Sequence, residues 1–83
     1  MSVSVVLYGR DGCCLCEEAR TLLLRLAGSH QFVLEERNID EDDELQRAYL
    51  ERIPVIKIDG REAFELEVDE RQLEQALADA DRA

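Results

Sequence analysis

The first third of the chain changes its hydrophobic pattern at a cluster of cysteines. Residues 3–8 (V-S-V-V-L-Y) are mostly apolar and rich in β-branched side chains, which predicts a largely buried strand. A turn is predicted from Gly9 to Gly12. From Cys14 to Gly28, a favoured helix stop, apolar side chains recur at three- and four-residue steps, which predicts an amphipathic helix carrying the cysteines in its first turn. The apolar stripe consists of Leu15, Ala19, Leu22, Leu23 and Leu26.

The middle of the chain predicts a second strand and a second helix. Residues 31–39 (Q-F-V-L-E-E-R-N-I) look like a strand in their front half, and the acid run Asp40 to Glu44 then precedes a helical stripe. Acidic side chains at the start of a helix face the positive end of its dipole. We therefore interpret the run as a solvated helix start rather than a docking surface. The stripe consists of Leu45, Ala48, Tyr49 and Arg52.

The last third predicts a hairpin and a third helix. Residues 55–58 are predicted to form a third strand, and Asp59-Gly60 is a strong hairpin turn into a fourth, roughly Glu62 to Glu67. Asp69 is predicted to cap the last helix. The apolar stripe of that helix consists of Leu73, Ala76, Leu77 and Ala80.

The resulting order is β-α-β-α-β-β-α, which predicts an α/β fold. Strands separated by helices favour parallel crossovers, and the short turn at Asp59-Gly60 favours an antiparallel pair. We therefore expect a four-stranded mixed sheet flanked by three helices on both faces. A chain of 83 residues suffices for one domain, so we predict a single domain over residues 1–83.

The charge of the chain restricts its partners. Ten basic and twenty acidic residues give a formal net charge of −10, which disfavours binding to nucleic acid or an anionic membrane surface. The N-terminus lacks the positive start and long apolar stretch of a secretory signal, and no window is long enough for a membrane span. We expect a cytoplasmic monomer. In that compartment clustered thiols do chemistry or bind metal more often than they crosslink a fold.

The cysteine spacing points to redox chemistry. Cys13 and Cys16 are three residues apart, which places both on one helix face, with Cys13 at the helix N-terminus. Such a position favours the thiolate and lowers a cysteine pKa from about 8.5 into a range of roughly 3.5 to 7.5. Cys13 is then the attacking thiol, and Cys16 resolves the mixed disulfide. Arg10 can add a positive charge beside the thiolate.

Two other interpretations of the cluster stay open. A soft-metal or iron–sulfur site could use Cys13, Cys14 and Cys16, although a structural zinc site needs a fourth ligand and His30 lies far along the chain. We predict no metal site. The chain could also be an interaction module with little turnover. Cys14 lies about a hundred degrees around the helix from Cys13 and is interpreted as a partly exposed bystander.

The chain has one proline, Pro54, at the start of the third predicted strand. At that position a backbone N–H must be given up or the peptide bond must turn cis. General X-Pro statistics favour the trans form.

Together, the stretch L-Y-G-R-D-G-C-C-L-C-E-E-A and the later stretch R-I-P-V-I-K-I-D-G resemble the glutaredoxin-like proteins of the thioredoxin superfamily. The resemblance covers nearly the whole chain and implies the minimal glutaredoxin fold. It implies that Cys13 is the nucleophile, Cys16 the resolving cysteine and Arg10 a substrate contact. It further implies that Pro54 is a cis-proline that leaves the Ile53 backbone free to pair with a substrate.

The chain departs from the glutaredoxin pattern where glutathione would bind. Typical members have an aromatic residue before the second cysteine and a Gly-Gly pair followed by Asp downstream of the proline. Here Leu15 replaces the aromatic residue, Phe64 and Glu65 replace the glycines, and Asp69 is the candidate acid. We expect protein or low-molecular-weight disulfides as substrates and no bound cofactor, and the missing glycines argue against glutathione.

Overall fold

The predicted order of elements is confirmed by the computed structural model, which describes residues 3–82. The strands are β1 Val3–Gly9, β2 Phe32–Asn38, β3 Val55–Ile58 and β4 Arg61–Glu65, and the helices are α1 Cys14–Leu26, α2 Asp43–Tyr49 and α3 Glu70–Arg82. A 3-10 turn, Ile39–Glu41, precedes α2. The single domain over residues 1–83 stays a prediction, since residues 1, 2 and 83 lie outside the described part.

The four strands form one mixed sheet in the order β2-β1-β3-β4. β1 and β2 are parallel, as predicted, whereas β3 is antiparallel to both β1 and β4. The expectation of a parallel crossover is therefore wrong for β3. The reason is length: seven residues of α2 rise only about 10 Å, whereas the seven-residue β2 spans about 23 Å. The chain consequently re-enters the sheet at the end where β2 stops.

Apolar side chains form a core on each face of the sheet. On one face, α1 and α3 pack over β1 and β3, with Leu23 and Leu73 fully buried. On the other face, the core consists of Tyr8, Ile39, Tyr49 and Val55. Helices on both faces confirm the layer arrangement. Leu15, predicted to face the core, is 43% exposed, because it lies in the first turn of α1, away from the buried stripe.

Two tyrosine rings and one lysine pack together on the α2 face. The ring centroids of Tyr8 and Tyr49 are 4.7 Å apart. Lys57 Nζ lies 5.5 Å from the Tyr8 centroid and 5.7 Å from the Tyr49 centroid, within cation–π range. Hydrogen bonding to Tyr49 is the main cause that raises the pKa of Lys57 above its ordinary value. The lysine is therefore held as a cation against the two rings.

Several predicted boundaries shift in the structure. β2 is a strand along its whole length, since pairing with β1 continues to Asn38 opposite Gly9. Gly9 accordingly belongs to β1 rather than to the turn. The acid run divides between the 3-10 turn and α2, whose N-cap is Asp42. Helix α2 ends at Tyr49, so Arg52 lies beyond it, and Ala48 is exposed.

The hairpin and the last helix begin as predicted. Asp59 and Gly60 have positive φ angles of 51° and 84°, as a tight hairpin turn of this kind requires. β4 ends at Glu65, earlier than predicted, and the next residue, Leu66, has a φ of 65°. Asp69 caps α3, because its Oδ1 accepts a hydrogen bond from the Gln72 N–H at 3.0 Å.

Candidate active site

The turn between β1 and α1 places Cys13 at the helix N-terminus. Cys13 is the N-cap residue with extended backbone angles, φ −93° and ψ 111°. Its Sγ accepts a hydrogen bond from the Cys16 backbone N–H at 3.2 Å. Backbone N–H groups at a helix start favour an anion over a neutral group. The Cys16 N–H therefore directs its positive end at the Cys13 sulfur.

The two outer cysteines of the cluster lie together but differ in exposure. The sulfurs of Cys13 and Cys16 are at disulfide distance, and their Cα atoms are 5.2 Å apart, within the range that a disulfide spans. Cys13 is half-buried, whereas Cys16 is only 6% exposed. A substrate sulfur can therefore approach Cys13 more easily than Cys16.

Gly9 makes room for the Cys16 side chain. A Cβ placed on Gly9 would lie 3.0 Å from Cys16 Sγ and 3.1 Å from Cys16 Cβ, closer than ordinary van der Waals contact. The sequence pattern predicted only a turn at Gly9 and did not indicate this contact. A glycine at a strand end that needs no positive φ is a signal of such a close approach.

Cys14 is not part of the pair. It is exposed and has no disulfide partner in the described part of the chain. Among residues 3–82, no group of three His, Cys, Asp or Glu side chains is arranged to hold a metal ion. The structure therefore brings together two of the three cysteines.

Arg10 and Cys16 line the same polar cleft, which has a volume of about 510 Å³. Gly9, Arg10 and Cys16 line this cleft together with charged side chains of α1 and β2. The guanidinium of Arg10 pairs with Asp40, with 3.2 Å between Nη2 and Oδ2. Both side chains are partly exposed, so this pair contributes little to stability. A substrate carboxylate would have to compete with Asp40 for Arg10.

Ile53 and Pro54 lie at the same end of the sheet as the cysteines. Val55 pairs with Tyr8, which places Pro54 beside the end of β1, and the Ile53–Pro54 peptide bond is cis. The expectation that the Ile53 backbone is free is wrong for its N–H, which donates to the Tyr49 carbonyl at 3.0 Å. The cause is the tight turn at the end of α2. Within residues 3–82, no hydrogen bond to the Ile53 carbonyl is made.

The segment before the proline is tied to β4. Arg52 forms ion pairs with Glu62 and with Glu65, the latter with 2.6 Å between Nε and Oε2. Hydrogen bonds to Glu65 and then Glu62 raise the pKa of Arg52. The Leu66 N–H donates to the carbonyls of Arg52 and Pro54, at 3.1 and 3.0 Å. These contacts hold the proline segment against the β4–α3 connection.

The residues that stand about where the glutaredoxin pattern has its Gly-Gly pair and acid make contacts within this fold. Phe64 is half-buried against the core, and Glu65 is paired with Arg52. Asp69 uses its carboxylate to cap α3. These side chains are engaged within the fold.

Comparison with known proteins places this geometry in a family. The model of the glutaredoxin-like domain family (DUF836) matches residues 4–78. A search of curated protein sequences finds no significant match. No helix within residues 3–82 is long and apolar enough to cross a membrane.

Solved structures agree with the family match. The chain is 34% identical to protein Ne2328 from Nitrosomonas europaea, with a TM-score of 0.79 and 93% of each chain covered. It is 32% identical to a structural-genomics target protein from X. campestris, with a TM-score of 0.77 and 90% of this chain and 96% of that chain covered.

Thioredoxins share the fold at lower identity. A mutant thioredoxin from Halobacterium salinarum has a TM-score of 0.74 at 21% identity, with 95% of this chain and 74% of that chain covered. The predicted thioredoxin-like α/β fold is therefore confirmed, and this fold with a C-x-x-C pair supports a redox role. The chain belongs to the glutaredoxin-like domain family.

Proposed function

We propose that the chain is a thiol–disulfide oxidoreductase that reduces or exchanges disulfides through Cys13 and Cys16. The observation that carries the proposal is the asymmetric pair at the start of α1. Cys13 is half-buried with the Cys16 N–H directed at its sulfur, and Cys16 is buried at disulfide distance from it. One sulfur is placed to meet a substrate and the other to complete the reaction.

The proposed reaction has two exchange steps. The Cys13 thiolate attacks one sulfur of a substrate disulfide, so a mixed disulfide forms and the other substrate sulfur leaves as a thiolate that takes up a proton. The deprotonated Cys16 then attacks Cys13 Sγ, which forms the Cys13–Cys16 disulfide and releases the second substrate thiol. Two electrons pass from the dithiol to the substrate. A thiol reductant must return them before the next turnover.

The same proposal covers the surroundings of the pair. The proposed substrates are protein or low-molecular-weight disulfides. The protein is proposed to act as a monomer without a bound cofactor. The proposed compartment is the cytoplasm, whose thiols are kept reduced. Arg10 and the Ile53 carbonyl are proposed substrate contacts, with Pro54 shaping the second. Glutathione is proposed to bind poorly, because Glu65 and Asp69 are engaged within the fold.

The test compares single variants with the wild type. Alkylation of reduced protein by iodoacetamide is measured against pH in a Cys14→Ser background, so that Cys13 is the more exposed of the two remaining thiols. We expect a reactive fraction that persists well below the ordinary cysteine pKa of about 8.5. We also expect Cys13→Ser to abolish turnover of a protein disulfide with dithiothreitol as reductant, and Cys14→Ser to retain it.

Other outcomes would contradict the proposal. The mechanism would be refuted if the pH profile of alkylation had its midpoint near 8.5 and Cys13→Ser kept full activity. Stoichiometric metal in anaerobically purified protein, lost in Cys14→Ser, would instead support a soft-metal site. An oxidisable pair with no turnover of any disulfide would support an interaction module.

A further inference from the structure

A groove lined by apolar and acidic side chains lies between the start of α1, which carries the redox pair, and the connection from β4 to α3. Its volume is about 470 Å³. Leu15 and Leu66 face this groove, and they are 43% and 46% exposed. Both are among the few large apolar side chains that residues 3–82 expose to solvent. The groove therefore offers unburied apolar surface next to the cysteines.

Leu66 is held in the groove by its backbone. Its φ of 65° is a left-handed conformation that a leucine rarely adopts. Its N–H donates to the carbonyls of Arg52 and Pro54, which fixes this conformation. Backbone strain of this kind concentrates at ligand-binding positions. Here it fixes the backbone of an apolar side chain that remains half-exposed.

Each half of the proposed active site is joined to the groove by a neighbouring residue that lines it. Leu15 lies between Cys14 and Cys16 in the first turn of α1, and Leu66 is hydrogen-bonded to Pro54. A peptide that presents its disulfide to Cys13 would therefore pass along the groove. Its neighbouring side chains would contact Leu15 and Leu66.

The rim of the groove is acidic. Glu18, Glu67 and Asp69 line it, and within residues 3–82 no lysine or arginine does. The formal net charge of −10 adds to the negative potential. An occupant with positive charge is attracted, and an acidic one is repelled.

We propose that this groove docks a basic segment of a disulfide-bonded protein, with an apolar side chain next to the reacting cysteine. The apolar side chain lies against Leu15 and Leu66, and lysine or arginine side chains face the acidic rim. This inference rests on the proposed function, since it names the substrate class of the same site.

Binding of cysteine-free peptides tests the groove without any disulfide chemistry. Three fluorescent peptides carry serine in place of the reacting cysteine: one with leucine flanked by lysines, one with leucine flanked by glutamates, and one with serine flanked by lysines. Fluorescence anisotropy gives the dissociation constants at low and high salt. We expect the lysine–leucine peptide to bind at least about tenfold more tightly than either other peptide, about 1.4 kcal/mol, with the advantage over the glutamate peptide shrinking at high salt.

Paired variants assign the effect to the groove. Leu66→Asn removes the apolar side chain but tolerates the left-handed backbone, and Glu67→Gln removes one rim charge. Both are expected to weaken binding of the lysine–leucine peptide. The controls Leu24→Asn and Asp81→Asn make the same chemical changes outside the groove and should leave binding unchanged. If Leu66→Asn fails to fold, Glu67→Gln still shows whether peptide binding depends on the groove.

The outcomes separate this inference from the proposed function. Equal binding of the three peptides, or equal effects of groove and control variants, overturns the docking site even when disulfide turnover is normal. Selective peptide binding in a protein that turns over no disulfide supports the docking site and contradicts the proposed function.

Discussion

Replacing Gly9 with alanine adds one methyl group against the resolving cysteine. The new Cβ would lie 3.0 Å from Cys16 Sγ and 3.1 Å from Cys16 Cβ, whereas carbon atoms in optimal contact are about 3.5 to 4.0 Å apart. One side must therefore give way by roughly a few tenths of an ångström. Cys16 belongs to α1, which the buried Ala19 and Leu23 hold against the sheet. The sulfur is consequently displaced from Cys13.

The expected cost follows from overpacking. Extra methyl groups in a packed interior cost about 1 to 3 kcal/mol, so the free energy of unfolding of Gly9→Ala should fall by that amount in urea titrations. The displaced Cys16 sulfur should also slow the second exchange step, seen as a mixed disulfide that persists after rapid quenching. The first attack by Cys13 should keep its rate.

Two controls isolate the contact. Gly28→Ala places a Cβ 3.5 Å from its nearest neighbour, the Arg25 carbonyl, so its stability should change by less than about 0.5 kcal/mol. In a Cys16→Ala background, which removes the sulfur, the cost of Gly9→Ala should shrink, and the double-mutant cycle measures that coupling. Unchanged stability and an unchanged resolving step in Gly9→Ala would refute the reasoning.

Three further predictions concern other parts of the fold. Lys57→Met should lower the free energy of unfolding by about 0.5 to 1 kcal/mol through loss of cation–π contact. Because the pKa of Lys57 is raised in the folded state, its contribution to the free energy of unfolding is present below the ordinary value of 10.5 and is lost as pH rises through the folded pKa. Urea titrations in which Lys57→Met and the wild type differ by a constant amount up to strongly alkaline pH would argue against this cause. Asp69→Ala should destabilise by about 1 kcal/mol, since the Gln72 N–H loses its acceptor, and a thermal melt unchanged from the wild type would show that the cap contributes nothing. Leu66→Gly should be more stable than Leu66→Ala by about 1 kcal/mol, because alanine bears the left-handed penalty at φ 65°, and the opposite order in chemical denaturation would rule this out.

Most of the fold could be predicted from the sequence because local residue patterns determine where its helices and strands lie. Alternation and helical stripes located all seven elements, and the acid at Asp69 marked a helix start that the structure confirms. The direction of β3 was not accessible in this way. It depends on how far the short α2 carries the chain, and the predicted stripe gave that helix too many residues.

The site, too, was predictable only where it depends on local spacing. Spacing alone placed Cys13 and Cys16 together, since three residues make one helical turn. The contact of Gly9 with Cys16 joins a strand to a helix, and no spacing rule contains it. The hydrogen bond of the Ile53 N–H to Tyr49 depends on the turn that ends α2, and the predicted stripe extended that helix to Arg52.

The central claim is the division of labour between the two cysteines, and adduct formation tests it directly. Reduced proteins in a Cys14→Ser background are treated with a small aromatic disulfide and quenched in acid. Their masses are then measured by intact-protein mass spectrometry. The account predicts that Cys16→Ser stops at one adduct on Cys13, that the parent protein releases two thiols and ends as the Cys13–Cys16 disulfide, and that Cys13→Ser gains almost no adduct in the same time. An adduct on Cys16 that forms as fast as the one on Cys13 would contradict it.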